Sequence, residues 1–259
     1  MDGIAQLTEA RHSFGDADLE RFALRVVARI ADRPVIETGR PGKELLGLMV
    51  RHARSGDQGV LNAIYGLIQD QRLPAERVVD IYIPAAARRL GHAWHEGELD
   101  ILSTTVAIAR LQAILRELGR AWAADHSDYV SDARVILAVP EREQHTLGSL
   151  IAAHQLRRLG VSVNLQLMVP PVRVAALVAD GGYDAVFVSM ANRSNLDSCR
   201  KLIKSVQRMA PSGVPVVLGG PLAELDDDLC RETGADVVTS NIVDALAACG
   251  LQAYDQAAQ

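Results

Sequence analysis

From residue 133 onward the chain alternates between two periodicities. The runs "RVILAV" (134–139), "VSVNLQLMV" (161–169), "DAVFVSM" (184–190), "VPVVLGG" (214–220) and "ADVVTS" (235–240) read as strands, and each is followed by a helical or turn-like segment. Five strand–helix units in succession leave little choice of architecture. Parallel strands need crossover connections, and helices then cover both faces of the sheet. Residues 133–259 are therefore expected to form a doubly wound, five-stranded parallel Rossmann-like (flavodoxin-like) domain, placing the chain in the α/β class.

Residues 41–122 keep a helical period throughout. "KELLGLMVRHARSG" sets Leu45, Leu46, Met49 and His52 on one side and stops at Gly56. "DQGVLNAIYGLIQDQRL" follows with Asp57 as N-cap and apolar residues at 60, 61, 64 and 67. A third segment carries Val78, Tyr82, Ala86 and Leu90, then Trp94, with a kink expected at Pro84. A fourth begins near "DILSTTV". Four helices with short connections predict an N-terminal four-helix bundle. "AADHSDYVSDAR" breaks the pattern, so residues 123–132 are read as a linker, and residues 1–40 as an extension with one short helix at Asp18 to Arg29.

Composition narrows the function. With 49% hydrophobic residues the chain can build a core, and a net charge of −5 argues against nonspecific binding to a phosphate backbone. No apolar stretch approaches the roughly 20 residues of a membrane span, and the first residues lack the basic-then-apolar pattern of a signal peptide. Cys199, Cys230 and Cys249 show no zinc or disulfide spacing. A cytoplasmic protein is expected.

The chemistry concentrates in the turn after the first strand, "PEREQHTLG", which lies at the carboxyl edge of the sheet, where such folds bind ligands. With one glycine it lacks the fingerprint that cradles a dinucleotide pyrophosphate. Instead it offers Glu143, His145 and Gly148. An imidazole is a good axial ligand for a cofactor metal, and a nearby carboxylate can orient the ring. Forty residues separate Gly148 from Ser189, and twenty-seven separate Ala191 from Gly219-Gly220. Both positions end predicted strands, so three elements on one sheet edge can line one slot. Taken singly, Ser189 is equally a strand-end hydroxyl and Gly219-Gly220 a turn. His154 lies nine residues after His145, which puts it on the other side of a helix. His92 and His95 lack a third ligand. The stripe Arg200, Lys204, Arg208 reads as a solvated face, and Asp226-Asp227-Asp228 as acids favoured by a helix dipole.

The pattern E-x-H-x-x-G, S-x-A, G-G resembles the cobalamin-binding signature D-x-H-x-x-G, S-x-L, G-G. In that family the histidine replaces the cofactor's own benzimidazole beneath cobalt, and the displaced tail lies beside the serine and glycines. The resemblance implies that His145 is the lower axial ligand. It also implies a cofactor site made by Glu143, Gly148, Ser189, Ala191, Gly219 and Gly220. Glu143 stands where the family has aspartate, which implies a longer, looser hold on His145. The helical segment is similar to the cap that precedes many such modules. "LGHAWHEGELDI" resembles the cap motif G-x-x-W-x-x-G-x-I, which would set Trp94 over the corrin. Thr104-Thr105 replace the Glu-His pair of adenosylcobalamin photoreceptors. Hydroxocobalamin or photolysed cobalamin is therefore expected over adenosylcobalamin. His95 matches the histidine that binds cobalt from above after light exposure; an exposed helix-end histidine is the plain alternative.

A cap plus cobalamin module with "EQHTLG" resembles the PpaA/AerR family of bacterial antirepressors, which act on PpsR/CrtJ-type repressors of photosynthesis genes in response to light. The resemblance implies a light-responsive transcriptional regulator that works through protein contact. No turnover, no sequence-specific DNA binding of its own and no membrane partner are expected. A corrinoid shuttle for separate methyltransferases and a heme-binding sensor are the alternatives.

Overall fold

A computed structural model of the chain describes residues 41–125, 132–210, 213–224 and 228–251. The helix expected at Asp18 to Arg29, and Asp226 and Asp227, lie outside the described residues. Helix α1 (Lys43–Ser55) ends where Gly56, at φ 71°, donates its N–H to the His52 carbonyl. Asp57 starts α2 (Gln58–Asp70) as its sequence position predicts: its side chain accepts from the backbone N–H groups of Gly59 and Val60. Asp100 plays the same part for α5 (Ile101–Asp125) by accepting from the Ser103 N–H at 2.7 Å.

The third helical run, with Pro84 in it, has three parts. It starts as α3 (Ala75–Arg77), widens into a π segment over Val78–Tyr82, and continues as α4 (Ile83–His95). Proline has no N–H to give to the carbonyl four residues back. The wider turn absorbs that break: Ile83 donates to Val78, five residues back. The expected kink is thus a π segment just before the proline. The apolar stripes read from the sequence meet in one core containing Leu45, Met49, Ile64, Val78, Tyr82, Ala86, Leu90, Leu111 and Leu115.

The sheet consists of β1 (Arg134–Pro140), β2 (Ser162–Val169), β3 (Ala185–Ser189), β4 (Val216–Gly219) and β5 (Val237–Val238). All pairings are parallel, in the order β2-β1-β3-β4-β5. The interleaved helices are α6 (Leu147–Arg158), α7 (Pro171–Ala179), α8 (Leu196–Met209), α9 (Leu229–Thr233) and α10 (Ile242–Ala248). The winding reverses between β1 and β3, which makes their carboxyl ends the switch point at which ligands bind in open α/β sheets.

Helix α6 belongs to both halves of the molecule. Leu147 and Ile151 are buried within the bundle core, and each contributes roughly 1.5–3 kcal/mol when fully buried. Gln112 of α5 donates to the Thr146 hydroxyl at 3.1 Å. Asp80, on the π segment, accepts from Gln155 at 3.2 Å and forms an ion pair with Arg158. Burial raises the Asp80 carboxyl, while Arg158 and Gln155 oppose that rise. His154 packs where only a glycine fits, since a Cβ at Gly119 of α5 would overlap its imidazole. The histidine that helical counting turned away from His145 therefore serves the seam with the bundle.

Candidate functional site

The turn between β1 and α6 is built around one buried carboxylate. Glu143 donates its N–H to the Pro140 carbonyl at 2.9 Å, which folds the chain back at the strand end. Its side chain, 0% exposed, turns beneath the turn. Oε1 accepts the His145 N–H at 2.9 Å and the ring Nδ1–H at 2.6 Å. Oε2 accepts the Ala191 N–H at 2.9 Å and the Asn195 Nδ2–H at 3.0 Å. A carboxylate is buried at heavy cost unless it is well hydrogen-bonded. Burial alone would raise this carboxyl. The four donors more than offset that and hold it at about 2.

The longer side chain is therefore not loose, contrary to what the aspartate-to-glutamate difference implies. Each oxygen has two donors, so the carboxylate is pinned on both sides. It also ties the β1 turn to the segment after β3 across the switch point. His145 is the opposite case. Its side chain is 66% exposed, and its Nδ1 is occupied by Glu143. With Nδ1 fixed as donor, Nε2 is the ring nitrogen left to meet a metal. The hydrogen bond to Glu143 raises the His145 pKa, burial opposes the rise, and the Glu143 charge adds to it.

Ser189 and Gly219 are register partners at the ends of β3 and β4, and Met190 donates its N–H to the Gly219 carbonyl at 2.9 Å. Gly220 has φ 119°, and a Cβ there would overlap the Met190 carbonyl oxygen and lie 3.0 Å from its carbon. Bulk at Gly220 thus meets the protein's own backbone first. At Gly219 a Cβ would make only ordinary contact, 3.4 Å from the Thr239 carbonyl oxygen. Gly148, on the first turn of α6, has open space where a Cβ would stand.

Glu143, His145 and Ala191 are joined directly, and Ser189 and Gly219 through the sheet. Trp94 and His95 are exposed at the end of α4, where Trp94 is 50% exposed. Among the described residues no hydrogen bond or ion pair links either one to the His145 turn. The Thr104 and Thr105 hydroxyls bond back to the carbonyls of Asp100 and Ile101 on their own helix. A cleft of about 450 Å³ in the bundle, lined by His52, Tyr65, Arg110 and Glu117 among others, includes none of the residues of the turn.

Sequence reasoning missed Asn195. The only signal was its amide six residues after Ser189, in "SMANRSN", where it reads as ordinary loop polarity. Of the basic stripe, Arg200 pairs with Asp197, while Lys204 and Arg208 lie on the exposed face of α8. Asp228 pairs with Arg231, three residues on.

Residues 133–249 match the B12-binding domain family. Over 182 residues the chain is 32% identical to an uncharacterized 20.5 kDa protein in the bchF-crtJ intergenic region of Rhodobacter capsulatus, covering 70% of this chain and 95% of that one. The chain belongs to the cobalamin-binding PpaA/AerR family. A solved structure with the same fold is the Methanosarcina barkeri monomethylamine corrinoid protein, with TM-score 0.59, 16% identity and coverage of 78% of this chain and 93% of that one. The donor set suits the family's cofactor. It presents one outward imidazole nitrogen, oriented by a buried carboxylate, beside strand ends where glycines keep the backbone close. Among the described residues no helix is long and apolar enough to cross a membrane.

Proposed function

We propose that this chain is a light-responsive antirepressor that senses the state of its cobalamin and acts through contact with a PpsR/CrtJ-type repressor, without turnover and without reading DNA itself. The observation that carries the proposal is the Glu143–His145 hydrogen bond at the switch point. It holds the His145 ring in one orientation with Nε2 free of Glu143, so that Nε2 would be the atom to bind the cofactor's cobalt. Ser189, Ala191, Gly148, Gly219 and Gly220 would hold the rest of the cofactor beside it. When bound, cobalamin supplies a cobalt–carbon bond that light can break and an upper coordination position that can be refilled.

His95 is the residue we assign to that upper position, beside Trp94 on the exposed end of α4. Thr104 and Thr105 spend their hydroxyls on their own helix and offer no carboxylate to clasp an adenosyl group. This supports hydroxocobalamin or photolysed cobalamin over the adenosyl form. The regulatory part of the reading is supported by the relative's position in the bchF-crtJ intergenic region.

The test is reconstitution of the full chain with hydroxocobalamin and with adenosylcobalamin, in the dark and after illumination. Absorption spectra and capture of the purified repressor are the two readouts. A bis-imidazole cobalt spectrum that disappears in His95→Ala, together with repressor capture that depends on the cofactor's state, is the expected result. Equal binding of dark adenosylcobalamin, or an unchanged His95→Ala spectrum, defeats the light switch. Methyl exchange with a corrinoid methyltransferase and no repressor capture would make the chain a carrier instead.

A further inference from the structure

On the flank of β1 away from Ser189 and Gly219, strand β2 breaks its register. Ala138 pairs with Gln166, yet Pro140 pairs with Val169, so three steps on β2 match two on β1. Met168 takes up the extra residue with φ 48°. That is the left-handed region, which costs a side-chain-bearing residue about 1–2 kcal/mol. A bulge re-aims side chains. Leu167 and Met168, adjacent in sequence, are 38% and 55% exposed, where regular pleating would send one of them inward. Val172, on the first turn of α7, is 67% exposed. Met168 itself is not buried in the core. Strain of this kind persists at ligand clamps, where it presets a contact.

The shelf adjoins the site. The register irregularity ends at the Pro140–Val169 pair, and the Pro140 carbonyl receives the Glu143 N–H that starts the His145 turn. Neighbouring strands lie about 4.8 Å apart, and a corrin is wider than that. A ring whose metal is held from the β1 turn must therefore overhang a neighbouring strand end. The β3 flank presents strand-end backbone, fixed by the Glu143–Ala191 and Glu143–Asn195 bonds and the Ser189–Gly219 pair, and offers little apolar side-chain surface. The β2 flank offers the exposed apolar side chains of Leu167, Met168 and Val172, with the exposed Arg173 one residue further along the helix.

We infer that Leu167, Met168 and Val172 form the seat for the rim of the corrin, with the bulge at Met168 as the device that raises it. The inference rests on the cobalamin reading above. The corrin periphery is rich in methyl groups, and an unbranched, polarizable thioether fits such an irregular edge.

The test uses the full chain, Met168→Gly and Val172→Ser, titrated with hydroxocobalamin and with cobinamide, which lacks the tail. Thermal melting is followed without ligand. Met168→Gly is expected to melt at or above the parent, because glycine accepts the left-handed backbone. It should bind both corrinoids about tenfold more weakly, the scale of losing most of one apolar side-chain contact. Val172→Ser should melt like the parent and weaken both corrinoids severalfold. Parent-like affinity for both ligands in both variants overturns the seat, as does a loss confined to the tailed ligand. Unchanged corrinoid affinity with lost repressor capture makes the shelf a protein contact and also overturns it. Failure of the parent itself to bind hydroxocobalamin defeats the cofactor reading, and the seat with it.

Discussion

Replacing Glu143 with glutamine removes one charge and changes one atom of the side chain, leaving its volume almost unchanged. The site is fully buried and has four donors aimed into it, from His145 twice, Ala191 and Asn195. A glutamine oxygen can keep two of them. Its amide nitrogen, itself a donor, must then face the other two. A carboxyl whose pKa falls from 4.5 to about 2 on folding stabilises the native state by on the order of 3 kcal/mol at neutral pH. The sign follows from the direction of the shift. The folded pKa is lowered, so the contribution is fully present above pH 4.5 and is lost as pH falls through about 2. Urea unfolding of the cofactor-free chain is the assay, with parent and Glu143→Gln compared at pH 7 and pH 3. Glu143→Gln should be less stable by about 3 kcal/mol at pH 7, with the gap shrinking to less than half at pH 3. A gap below about 1 kcal/mol at pH 7, or one of equal size at both pH values, would refute the idea that four charge-assisted hydrogen bonds hold this turn.

The same pair sets the pH dependence of cofactor binding. Glu143 raises the His145 pKa, and a proton on Nε2 competes with cobalt. Hydroxocobalamin affinity should therefore fall about tenfold per pH unit below that raised value, and Glu143→Gln should move the fall toward the ordinary histidine pKa in spectroscopic titrations. Gly220→Ala places a Cβ against the Met190 carbonyl at φ 119°; it should lower stability by about 1–3 kcal/mol and weaken cobalamin and cobinamide alike, whereas Gly219→Ala should be mild by the same melts and titrations. Gly119→Ala forces a methyl into the His154 ring and should cost about 1–3 kcal/mol, seen as a lower melting temperature with the His145 pH profile unchanged.

Much of the architecture was legible in the residues because it depends on local periodicity. Five apolar runs had to be strands, and their alternation with helices forced parallel pairing. Asp57 and Gly56 announced a helix start and stop through chemistry that acts within four residues. The turn holding Glu143 and His145 was legible for the same reason, since strand, turn and helix follow one another directly in the chain.

The tertiary structure alone decided matters that depend on residues distant in sequence. Nothing near Glu143 in the chain says that its second oxygen takes Ala191 and Asn195, about fifty residues later; the β1–β3 pairing brings them there. That pairing turned an apparently loose glutamate into a pinned one. His154 looked idle until α5 crossed it at Gly119, and nothing beside Asp80 in the chain foretells its pairing with Arg158. A single strand cannot reveal the bulge at Met168, because a bulge is a mismatch between two strands. Local sequence fixes which elements form and where they turn. Which side chains meet is set by packing, because burial and hydrogen-bond satisfaction are properties of the assembled neighbours.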